Sequence, residues 1–164
     1  MRSAMERALK IVLRLSEWTS LVGEATLTFM MLLTVSDVIL RSFKRPILGT
    51  YEIVAFSGAV AIGFSVPMTS WMRGHVNVDI FTSTLSRKAH DAVNIGTRCL
   101  VIALFLVMSW RLISYGMNLQ RVREVSMTLQ LPFYPVAYGL GLAFFIQCLV
   151  LTCDILKILR GNYE

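Results

Sequence analysis

Charge is scarce in this sequence: 16% of its 164 residues are Asp, Glu, Lys or Arg, while 55% are hydrophobic. A soluble domain carries about 25% charged residues, so an ordinary water-facing surface is excluded. Histidine is limited to His75 and His90, and cysteine to Cys99, Cys148 and Cys153. No Cys-x-x-Cys pair occurs and no His lies close to a cysteine in sequence, which leaves too few ligands for a zinc site. The cysteines read as small apolar residues of membrane spans. Bis-imidazole haem needs His inside a bundle, where neither His is expected. A nucleophile elbow and a glycine-rich phosphate loop are both missing, so the chain is read as non-catalytic. Low-complexity tracts, Gly/Ser linkers and internal repeats are missing too, so residues 1–164 are expected to form a single membrane domain.

Long apolar runs are present in their place. Ile53 to Met72 and Val125 to Cys153 are uncharged over 20 and 29 residues, enough to cross a hydrocarbon core about 30 Å thick. Two further runs are interrupted by isolated charges. The expected fold is all-α, with transmembrane helices near 15–41, 51–72, 90–119 and 133–158 and a short interfacial helix near 76–86. The basic segment before Leu15 resembles the flank of a secretory signal, but Glu17 and Glu24 break the apolar run behind it, and it is read as a retained first helix.

The net charge of +6 does not point to nucleic acid, because the basic residues gather at span ends and not on one face. With both termini cytoplasmic, the inner flanks hold Arg2, Arg7, Lys10, Arg14, Arg73, Arg87, Lys88, Lys157 and Arg160; the outer flanks hold Arg41, Lys44, Arg45, Arg121 and Arg123. The positive-inside bias favours that orientation. Pro46 and Gly49 end the first helix beyond Arg41, Thr50 is the expected N-cap of the second, and Glu52 lies in its first turn, where the helix dipole favours an acid. Ser86 is the candidate cap of the third helix. Pro132 and Pro135 lead into the fourth. Trp18, Trp71, Trp110, Tyr51, Tyr134 and Tyr138 are expected near span ends, as interfacial aromatics.

The second span carries Ala55, Ala59 and Gly63 at four-residue spacing, and Ser57, Ala61 and Ser65 likewise. Such stripes let another helix approach closely, either within the chain or from a second protein. Charges within spans need partners, because an isolated one costs about 2.5–3.5 kcal/mol at mid-bilayer. Glu24 and Asp37 are 13 residues apart, as are Arg98 and Arg111, a rise of roughly 20 Å in each helix. Thirteen steps also leave about 140° between the two acids, so one helix face cannot satisfy both pairs. The expected arrangement is an outer-level cluster of Asp37, Arg41, Glu52 and Arg111, with Asp37 and Arg41 at the i, i+4 spacing. Glu24 and Arg98 are a candidate second pair, or snorkel separately.

Residues 73–81, "RGHVNVDIF", alternate polar and apolar side chains, and the stretch from Val76 to Leu85 is too short to span. As a strand it would need a sheet partner that a four-helix chain does not offer; as a helix it places Val78, Phe81 and Leu85 on one side and lies flat at the interface. His75 and Asp79 share a face at four-residue spacing, and are read as organising the turn and the attachment of this arm, with a partner contact as the alternative.

The stretches "SDVILRSFKRPILGTYEIVAF", "RGHVNVDIFTSTLSRKAHD" and "SMTLQLPFYPVAYGLGLAF" together resemble the small membrane subunit of tripartite ATP-independent periplasmic (TRAP) transporters, the DctQ family. The matching positions are Arg41 at the end of the first helix, Glu52 opening the second, His75, Val76, Val78 and Asp79 after it, and Leu131 and Pro132 before the fourth. The resemblance implies a multi-pass protein of the bacterial inner membrane that scaffolds a large elevator-type membrane subunit of the DctM type. That subunit holds the sodium and substrate sites, and this chain needs no cofactor. A periplasmic substrate-binding protein delivers the solute, usually an organic acid, with Lys44, Arg45, Arg121 and Arg123 as candidate contacts. Selectivity resides in the other two components, so carboxylates, sugar acids, compatible solutes and sulfonates all fit this chain equally. Membrane lipid is the remaining partner. The alternative is a small autonomous proton-coupled exporter using Glu24; a redox-complex anchor is disfavoured by the lack of intramembrane His.

Overall fold

The computed structural model describes residues 2–72 and 87–159. Four helices make up the described chain: α1 (Arg2–Ser42), α2 (Thr50–Trp71), α3 (Arg87–Val122) and α4 (Tyr134–Leu159). Each contains a stretch long and apolar enough to cross a membrane. The α1 and α3 helices, of 41 and 36 residues, reach roughly 60 and 54 Å along their axes and so extend past the expected spans. The expected arm at 76–86, with His75, Val76, Val78 and Asp79, lies outside the described residues, as does Ser86.

The helices stack in the order α1, α2, α4, α3. Among the described residues α3 packs on α4 alone, and α1 packs on α2 with a smaller contact to α4. Small residues set this order. At Gly63 of α2 a Cβ would collide with the Leu140 side chain of α4, and at Gly141 of α4 one would press on Ile113 of α3. Each glycine is thus a hole filled by a branched side chain of the next helix, the close approach that dispersion-driven packing in lipid requires. Gly23 of α1 lies equally tight against Ser65 and the Ala61 carbonyl of α2. Polar side chains join the same seams: Ser109 Oγ donates to the Gly141 carbonyl at 2.7 Å, and Gln147 Nε2 donates to Ser70 Oγ at 2.5 Å across α4 and α2. Pro67 sits inside α2, fully buried.

Two loops close one end of the stack, hereafter the two-loop end. Both α1 and α3 finish on a left-handed basic residue, Lys44 with φ 59° and Arg123 with φ 54°. In each case the following N–H reaches back five residues, Arg45 N to Leu40 O at 2.9 Å and Glu124 N to Leu119 O at 3.1 Å, the bond of a Schellman ending. The N-cap of α2 is Gly49, not the expected Thr50. With φ 77°, and with Leu129 filling the space where a Cβ would stand, this position admits only glycine. Thr50 instead lies in the first turn, its hydroxyl donating to the Ile47 carbonyl at 2.9 Å. The α3–α4 loop is narrowed by an antiparallel bridge between Val125 and Pro132.

Candidate functional site

The charges that sequence reasoning placed in one outer cluster separate into two loop anchors and a lone cation. Asp37, buried near the end of α1, accepts from Arg41 Nη2 one turn on and from the Ile47 backbone N–H at 2.9 Å. One carboxylate thereby fastens the α1–α2 loop to α1. Glu52, in the first turn of α2, accepts from Ser126 Oγ at 2.8 Å, Thr128 N at 2.7 Å and Leu129 N at 3.0 Å. It fastens the α3–α4 loop to α2. Ser126 Oγ accepts in turn from the Leu131 N–H at 3.1 Å. Backbone N–H groups make charge-assisted hydrogen bonds to a carboxylate, and at Glu52 they stand where an arginine was expected.

Arg111 joins neither group. It is exposed on α3, a helix that touches neither α1 nor α2 among the described residues. The candidate pair of Glu24 and Arg98 is corrected for the same reason: among the described residues α1 and α3 are not neighbours. Arg98 Nη2 pairs with Asp154 Oδ2 of α4 at 2.7 Å, both side chains being mostly buried. Glu24 instead accepts from Ser20 Oγ at 2.8 Å on an exposed face of its own helix and borders a groove of about 380 Å³ between α1 and α2. Sequence reasoning had singled out neither Asp154 nor Ser126.

The two small-residue stripes of α2 face different ways. Ser57 and Ala61 are buried and Ser65 meets Gly23 of α1; Gly63 receives Leu140 of α4. Ala55 and Ala59 remain open and line a cavity of about 450 Å³ between α2, α3 and α4. Lys44, Arg45, Arg121 and Arg123 are all exposed at the two-loop end. Trp110 is exposed well inside α3 and not near its end, a departure from the interfacial placement expected of it. Among the described residues, no group of three or more His, Cys, Asp or Glu is placed to hold a metal ion.

The family model for the DctQ component of tripartite ATP-independent periplasmic transporters matches residues 30–161. The chain belongs to the DctQ family. No curated protein and no solved structure matched it. The matched span covers both loop anchors, the three helices from α2 onward and the end of α1. As a DctQ protein it is the small permease subunit of a TRAP transporter, a transporter component and not an enzyme, seated in the inner membrane. Membership implies association with a DctM-type large membrane subunit and a substrate-binding protein. It does not favour the autonomous exporter.

Proposed function

We propose that this DctQ subunit is the non-catalytic scaffold of a sodium-coupled TRAP transporter. In this reading it enlarges the static part of a large elevator-type subunit, which holds the sodium and solute sites and imports an organic acid delivered by a periplasmic binding protein. The observation that carries the reading is the anchoring of both loops at one end by Asp37 and Glu52. A carboxylate occupied by backbone N–H groups and a neighbouring guanidinium is committed to holding shape, and the α1–α2–α4–α3 stack it braces serves as a wall. With both termini cytoplasmic the two-loop end faces the periplasm, and exposed Lys44, Arg45, Arg121 and Arg123 offer positive charge to the binding protein.

Co-reconstitution in liposomes tests this. Uptake of a labelled organic acid down an imposed sodium gradient is expected only when the chain, the large subunit and the binding protein are all present. Proton-driven transport by the purified chain alone, abolished in Glu24→Gln, would overturn the scaffold reading in favour of the exporter.

A further inference from the structure

Among the described residues α2 and α3 pack on α4 and not on each other, and a trough runs between them with α4 as its floor. A cavity of about 450 Å³ opens in it at the two-loop end, and a second of about 640 Å³, lined by α3 and α4, adjoins it. The two share Leu112, Tyr115 and Leu140 as walls. Along the two cavities the floor extends from Phe133, the residue before α4, to Phe144 within it, roughly 16 Å of helix rise, about three turns. Ala55 and Ala59 form part of the α2 wall, small enough for another helix backbone to approach.

Arg111 lines the adjoining cavity on the α3–α4 side of this trough. It lies 11 residues before the end of α3 at Val122, roughly 16 Å along the axis, on an apolar membrane-crossing segment. Ser114 and Asn118 line the same cavity, three and seven residues on and therefore on the same face. Among the described residues Arg111 makes no hydrogen bond or ion pair. The acids of the neighbouring helices are committed elsewhere, Glu52 to the α3–α4 loop and Asp154 to Arg98. A cation at this depth is costly unless an anion meets it; no acid does so among the described residues, and an acid of a partner would offset that cost.

We propose that the trough between α2 and α3 seats a transmembrane helix of the large membrane subunit, with Arg111 receiving an Asp or Glu carboxylate of that helix. The proposal rests on the subunit reading above and names the face that reading leaves open. The trough's length suits a helix face of three turns, its Ala-lined wall suits close packing, and its single cation sets the register by charge complementarity. A phospholipid phosphate is the competing occupant.

The test uses the full chain co-expressed with its large subunit and purified in nanodiscs. Arg111→Glu and Ala59→Trp are each expected to lower the large subunit retained by about tenfold, the scale of one polar helix contact in lipid. Arg111→Lys should retain most of it, and Val35→Trp, on the exposed face of α1, should behave as wild type. A photoreactive benzoylphenylalanine at Tyr115 keeps the proposal falsifiable should a trough variant misfold. It is expected to crosslink to a transmembrane segment of the large subunit that carries an Asp or Glu. Wild-type retention in Arg111→Glu, adducts with lipid alone, or adducts with a segment lacking an acid would overturn the proposal. If the wild-type chain itself retains no large subunit, the subunit reading fails instead, so the two failures are distinguishable.

Discussion

Asp37 and Glu52 each meet backbone N–H groups of a loop, and this sets what their substitution should do. In Glu52→Gln the amide keeps one acceptor oxygen for three donors, so a loop donor loses its partner. The melting temperature of the purified chain should fall, and further than in Glu17→Gln, whose carboxylate is exposed on α1. An unchanged melt would remove Glu52 from the list of anchors. Lys44 gives the opposite sign. Its left-handed backbone, φ 59°, strains an L-residue but not glycine, so Lys44→Gly should stabilise by about 1 kcal/mol, read as a raised melting temperature. At this scale the i, i+4 spacing made the Asp37–Arg41 contact legible from sequence, and the dipole argument put an acid at Glu52. The partners of Glu52 were not legible, because Ser126, Thr128 and Leu129 lie more than seventy positions away and reach it only when the loops fold over.

Between elements, glycine holes and buried pairs hold the seams. Gly63→Leu puts a branched side chain where Leu140 already stands, and overpacking of this kind costs about 1–3 kcal/mol. Denaturation in mild detergent should show that loss. The Arg98–Asp154 pair between α3 and α4 makes a sharper test. Removing one partner of a buried pair leaves an uncompensated charge, a cost of about 3–5 kcal/mol, whereas replacing both with apolar groups is often neutral. Asp154→Leu should therefore destabilise more than the Arg98→Leu/Asp154→Leu double variant. The reverse order would mean that the pair is solvated and does not join the helices. Sequence offered Glu24 as the partner of Arg98 because their levels in the membrane match. It could not show that α4 separates α3 from α1.

For the whole molecule, the scaffold reading makes Glu24 dispensable. It is exposed, and its carboxylate accepts from Ser20 of its own helix, so Glu24→Gln in the reconstituted complex should change sodium-driven uptake by less than about twofold, as for a surface substitution. Complete loss of uptake with normal assembly would point to proton coupling through Glu24.

Composition and apolar run length determined by themselves that the chain crosses a membrane four times, since no other solvent tolerates so little charge over helices of this length. Motif order along the chain pointed to the DctQ family. Tertiary structure alone decided which helices are neighbours, which face of the Ala/Gly-rich second helix stays open, and that Arg98 meets Asp154. The physical reason is that run length and periodicity are local properties of a helix, whereas the α1–α2–α4–α3 order follows from which glycine receives which side chain across a seam, a relation between residues distant in sequence.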